Sequence, residues 1–121
     1  MKSHWIEYKS RKIFVFDFTN FDTDHVAAQA EAEEVKKELA KSPAHSVRAI
    51  THVTGTVATT RNIQVLQSLL PVTNQYVMKR AVVGVTGVRK QFVALLNRLT
   101  GRAQFIIFDT MEEALEYLIK E

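Results

Sequence analysis

Two short stretches of this chain carry the side chains best suited to hold or modify an anion. The first, Thr54-Gly55-Thr56-Val57-Ala58-Thr59-Thr60-Arg61, places four threonine hydroxyls, a glycine and a guanidinium within eight residues. Hydroxyls ahead of a helix cap its free N–H groups. The same N–H groups, together with Arg61, can bind a phosphate or present Thr59 or Thr60 to receive a phosphoryl group. The second stretch runs from Gly84 through Thr86 and Gly87 to Arg89 and Lys90. Its glycines permit close backbone approach. Its two cations fall in the first turn of an expected helix, where the helix dipole disfavours them unless something negative lies nearby. The pattern lacks the Gly-x-Gly-x-x-Gly and Gly-Lys-Ser/Thr signatures of nucleotide sites.

Other chemistry-bearing residues stand alone in the sequence. His52 could act as a base, but no Ser or Cys accompanies it in a recognisable pattern. Asp17 has no second carboxylate placed to share a metal, and His25 has no histidine at ligand spacing. We therefore expect no catalytic residues, no metal and no cofactor, and we read the chain as a non-enzyme.

The elements that must position these loops follow from hydrophobic periodicity. Residues 4–9 alternate weakly, with Trp5, Ile6 and Tyr8, as an edge strand. Ile13 to Phe18 is apolar on both faces, as expected for a central strand covered from both sides. A helix is expected from Asp22 to Lys41, capped by Asp22 or Thr23 and stopped by Ser42-Pro43. Its seam is Ala28, Ala32, Val35 and Leu39, and its solvated face carries Glu31, Glu34, Lys37, Glu38 and Lys41. Ser46–Val53 reads as a strand, and Ile63, Leu66 and Leu70 mark a helix that Pro71 ends or kinks. Ala81–Val85 reads as a buried strand, followed by a helix with Val88, Phe92, Leu95, Leu96 and Leu99 on one stripe and Gly101 as its stop. Residues 104–108 make a last strand. Thr110 and Glu113 form a capping box for a final helix with Met111, Ala114, Leu115 and Leu118 inward. The expected fold is α/β: a largely parallel four- to five-stranded sheet built from repeated β-α units, with four main helices and right-handed crossovers, in a single domain over residues 1–121. The loops at 54–61 and 84–90 then share the C-terminal edge of the sheet.

Composition bounds the rest. Hydrophobic residues are 46% and charged residues 24%, which is ordinary for a folded globular protein and excludes the disordered class. With 0 cysteines, disulfides and thiolate chemistry are excluded. No run approaches a membrane span and the N-terminal residues do not read as a secretion signal, so a cytoplasmic protein without an integral membrane segment is expected. The formal charge is +3. No Asp or Glu occurs between Ser42 and Phe108, where Arg48, Arg61, Lys79, Arg80, Arg89, Lys90, Arg98 and Arg102 lie. Such a field favours an anionic partner unless the fold neutralises it. Nucleic acid is not expected as a partner, and Trp5 and Tyr8 on an edge strand could mark a homodimer contact.

The segments FVFDFTNF, HVTGT, AVVGVTGVRK and FDTMEEALEYL, in this order, resemble the small bacterial STAS-like proteins across roughly residues 6 to 120. That fold is shared with anti-sigma factor antagonists and, more distantly, with CRAL-TRIO lipid-binding domains. In the antagonists, an Asp-Ser-Ser-Gly loop after a strand carries a serine that a partner kinase phosphorylates. The comparable loop here is Ala58-Thr59-Thr60-Arg61, with hydroxyls at Thr59 and Thr60 but Ala58 and Arg61 in place of the Asp and Gly. The resemblance implies a regulatory or protein-interaction domain with a protein partner. The alternative is a binding module for a small anionic or amphipathic ligand (nucleotide, phosphate or lipid) held by Thr54, Gly55, Thr56, Thr59, Thr60, Arg61, Gly84, Thr86, Gly87, Arg89 and Lys90.

Overall fold

A computed structural model describes residues 1–85 and 106–120. Its elements are β1 (His4–Tyr8), β2 (Arg11–Asp17), α1 (His25–Leu39), β3 (Val47–His52), α2 (Thr60–Ser68), α3 (Leu70–Tyr76), β4 (Val77–Val83), β5 (Ile106–Phe108) and α4 (Met111–Ile119). The fold is α/β with a five-stranded mixed sheet in the order β1-β2-β3-β4-β5. Strands β2 to β5 are parallel, and β1 turns back antiparallel to β2 in a hairpin. The sheet is thus largely, not wholly, parallel. Only Leu69 separates α2 from α3, so among the described residues there are three helical bodies rather than the four expected. The expected helix through Val88, Phe92, Leu95, Leu96 and Leu99 lies outside the described residues.

The two faces of β2 explain the layering. Phe14, Phe16 and Phe18 point to one side and pack with Ala49 and Val82 against Ala28, Ala32, Val35 and Leu39 of α1 and Val65 and Leu69 of the α2–α3 body. Ile13 points to the other side, where Ile50, Ala81 and Val83 meet Ala114 and Leu118 of α4. Crossovers of one hand along a monotonic strand order must lie on one face, which is where α1 and α2–α3 are found.

Several boundaries differ from the sequence expectation for physical reasons. Asp22 does not cap α1. Its φ is +53° and it bridges to Thr56, while Asp24 is the N-cap and accepts from the Ala27 N–H at 3.0 Å. Pro71 opens a helix instead of ending one, since it sits in the first turn of α3 where its missing N–H costs nothing. Strand β4 starts at Val77, ahead of the apolar run, and so contains two cations. Lys79 Nζ donates to the carbonyls of Tyr117 at 2.7 Å and Lys120 at 2.8 Å, and Arg48 Nε donates to Leu118 O at 2.9 Å. Both therefore cap the C-terminus of α4, where the helix dipole is negative. Arg80 is held by Thr73 and Asn74 of α3. Among the described residues, Arg48, Lys79 and Arg80 of this stretch are thus engaged inside the fold.

Edge-strand residues Trp5 and Tyr8 are likewise engaged within the chain. Trp5 stacks on Phe14 with ring centroids 4.8 Å apart and donates to Glu38 at 3.0 Å, and Tyr8 donates its hydroxyl to Glu116. Glu31, expected on the solvated face of α1, is buried. Its carboxylate accepts the N–H groups of Lys2 at 2.9 Å and Ser3 at 2.8 Å and so ties the segment before β1 to α1. Burial raises the Glu31 pKa, but these backbone donors, the Ser3 side chain and the chain's amino terminus outweigh it, so the carboxyl is held below its ordinary range. A group whose folded pKa is depressed stabilises the fold above its unfolded value and stops doing so as pH falls through the folded value. Glu31→Gln is therefore expected to cost about 1–2 kcal/mol at neutral pH. Urea denaturation of both proteins across pH should show this difference shrinking once the pH drops below the ordinary glutamate range.

Candidate functional site

The C-terminal rim of the sheet is built by two loops that continue the pairing of their strands. Beyond Asp17 and His52, the Phe18 N–H donates to His52 O at 2.9 Å, Asn20 N–H to Thr54 O at 2.9 Å, Asp22 N–H to Gly55 O at 3.0 Å and Val57 N–H to Asp22 O at 2.9 Å. Thr56 is buried and its hydroxyl spans the two loops, accepting from Phe21 N–H at 3.1 Å and donating to Phe18 O. Asn20 and Asp22 adopt positive φ of 60° and 53° to make this pairing, a conformation that Asn and Asp tolerate better than other L-residues. Gly55 has φ +79°, and a Cβ there would fall 2.3 Å from Asn20 Oδ1. Thr54, Gly55 and Thr56 are thus fixed by backbone and hydroxyl contacts with the β2–α1 loop.

The expected meeting of the two rim turns is found where both are described. Gly84, with φ +94°, lies directly over Thr54, and a Cβ at 84 would come 2.3 Å from Thr54 Oγ1 and 2.6 Å from Thr54 N. The contact between Gly84 and Thr54 is close packing. Thr86, Gly87, Arg89 and Lys90 lie outside the described residues.

At the start of α2 the two candidate phosphoacceptors part company. Thr59 is the N-cap, and its hydroxyl accepts from the Asn62 N–H at 3.1 Å. Thr60 is the first helical residue, exposed, with no hydrogen bond from its hydroxyl to a described residue. Arg61 is exposed and makes no ion pair among the described residues. Asn62, which the sequence reading passed over, is 3% exposed. Its Nδ2 donates to Asp22 O at 2.9 Å and Val57 O at 2.8 Å, fastening α2 to both loops. Its Oδ1 has no partner among the described residues. An asparagine three residues into a helix is a weak helix former, the one signal that could have drawn attention to it. Beside this turn, a groove of about 290 Å³ runs between α1 and α2, lined by His25, Val26, Gln29, Arg61, Gln64 and Val65. Val26 is 68% exposed there.

Asp17 and His52 are register partners on β2 and β3. Asp17 accepts from the Thr19 N–H at 3.1 Å and the Thr19 hydroxyl at 2.6 Å, with Lys2 Nζ 3.7 Å away. Burial pushes its pKa up, but Thr19, Lys2 and His52 together hold it below the usual aspartate range. His52 Nε2 lies 2.9 Å from Thr54 Oγ1. Among the described residues no three of His, Asp and Glu gather closely enough to hold a metal ion.

A separate cavity of about 90 Å³ opens between the sheet and the α2–α3 body. Phe16, Val53, Leu66, Leu69, Val82 and Val85 give it apolar walls, and Arg80 and Thr73 supply polar groups. No residue pattern announces it, because its walls come from five separate elements.

The chain matches no protein-family model, and a search among curated proteins finds no match. The geometry of α2 separates the roles of the two threonines. Thr59→Ala removes a cap and should lower stability by about 1 kcal/mol, whereas Thr60→Ala should stay within about 0.5 kcal/mol of the parent in chemical denaturation.

Proposed function

We propose that the chain is a non-enzymatic regulatory or protein-interaction domain, akin to the anti-sigma factor antagonists that its sequence resembles, and that it meets its partner through the start of α2 and the adjoining α1–α2 groove. The observation that carries this reading is the exposed Thr60 hydroxyl at the N-terminus of α2, set beside an exposed Val26 and the Arg61 guanidinium on a frame the two loops hold rigid. A modifiable hydroxyl at such a place can switch a contact by adding charge without unfolding the domain. Affinity capture with the parent chain, Val26→Asp and Thr60→Glu as baits tests it. A kinase-like or other regulatory protein recovered by the parent should be lost from both variants by tenfold or more, equivalent to about 1.4 kcal/mol or greater. Recovery of the same proteins by all three baits would refute the reading.

A second reading, binding of a small amphipathic molecule, is favoured by the 90 Å³ cavity and its mainly apolar walls. Apolar cavities of this order can admit a small hydrocarbon group. Hexanoate and hexanol are suitable probes. Either should raise the melting temperature with concentration, by about 2.7 kcal/mol of stabilisation at a hundred times its Kd. Leu66→Trp, which fills the space, should abolish the rise. A melting curve indifferent to both compounds removes this reading and leaves the first intact.

A further inference from the structure

The C-terminal rim contains a hydroxyl and an imidazole whose arrangement the regulatory reading does not use. Thr54 is exposed at the tip of the β3–α2 turn, and its Oγ1 lies 2.9 Å from His52 Nε2. With the ring proton on Nδ1, Nε2 is the acceptor and the threonine hydroxyl the donor. Hydrogen-bond contact between a hydroxyl and a base is the geometry from which a nucleophile is activated.

The surroundings hold this pair in place. His52 is flanked in register by Asp17 on β2 and Val83 on β4, so one neighbour is a carboxylate and the other an apolar side chain. Asp17 accepts from the Thr19 hydroxyl and N–H and lies 3.7 Å from Lys2 Nζ. Thr54 itself is fenced by backbone. Its carbonyl accepts from Asn20 N–H, and Gly84 presses so close that no side chain fits between them. The hydroxyl keeps its approach to His52 without paying rotamer entropy at the moment of reaction.

We infer that Thr54 is a covalent modification site, a hydroxyl that accepts an acyl group from an activated carboxylic ester with His52 as general base. Thr54 Oγ1 bonds to the ester carbonyl carbon and its proton passes to His52 Nε2. The bond from that carbon to the departing alcohol or phenol oxygen then breaks, and this oxygen takes the proton back from His52. The products are O-acyl-Thr54 and a free alcohol, so atoms and charge balance without a further reactant.

The test uses the whole chain and p-nitrophenyl acetate as probe. The expected result is a burst of nitrophenol with one acetyl group per chain, mapped to Thr54 by peptide fragmentation. Thr54→Ser retains it, Thr54→Val abolishes it, and His52→Gln slows it by roughly 10²–10⁴-fold. Thr59→Val and Thr60→Val leave the burst unchanged, which separates this site from the partner surface. Circular dichroism confirms that each variant is folded. No burst, a burst that survives Thr54→Val, or acetyl groups confined to lysines overturns the inference.

Discussion

The described structure depends on backbone pairing that does not stop where β2 and β3 end. In a parallel sheet the strands normally part at their C-terminal edge and leave loop N–H and C=O groups to find other partners. Here the chain after Asp17 and the chain after His52 keep trading hydrogen bonds through Asn20, Asp22, Thr54, Gly55 and Val57. Each bond contributes only about 1 kcal/mol net, but buried groups left without them would cost more. The conformational strain at Asn20 and Asp22 is offset by that satisfaction. Asn62 then fastens α2 to both loops through a single amide. The N-terminus of α2 is consequently presented on a rigid frame.

The fold also engages part of the charge asymmetry that is so visible along the sequence. A stretch rich in Arg and Lys and empty of carboxylates suggests a positive surface, yet Arg48 and Lys79 point to the face covered by α4 and meet its C-terminal carbonyls. Their ammonium and guanidinium groups neutralise the helix dipole instead of recruiting an external anion. Lys79 Nζ also lies 4.2 Å from the centroid of the Tyr117 ring, which adds a cation–π contact. Two residues that read as a ligand field are thus the means by which the last helix is locked to the middle of the sheet.

What was legible in the sequence was whatever depends on a period. The two-faced apolar run of β2, the seam of α1 and the Thr110 cap of α4 all follow from residues a few positions apart, and all stand where expected. What depends on a distant partner was not legible. Glu31 falls on the polar side of a helical wheel, and only the return of Lys2 and Ser3 explains its burial. Pro71 reads as a terminator because the turn at Leu69, which lets a new helix begin, has no local signature. The start of β4 hides behind Lys79 and Arg80, whose partners lie on other elements.

The candidate site shows the same division, and the division has a consequence for how it works. Its four threonines look equivalent as a cluster of hydroxyls, but the fold gives each a different office. Thr56 is buried as a spacer between loops, Thr59 caps a helix, Thr60 faces outward, and Thr54 lies between His52 and Gly84. A hydroxyl already spent on a backbone N–H can be modified only by releasing that N–H, which costs stability. Thr60 carries no such commitment, and the bond from Thr54 goes to a side chain that can accept its proton. Chemistry at this rim is therefore cheapest at the two positions where the backbone makes no demand on the oxygen, and those positions lie at opposite ends of one rigid turn.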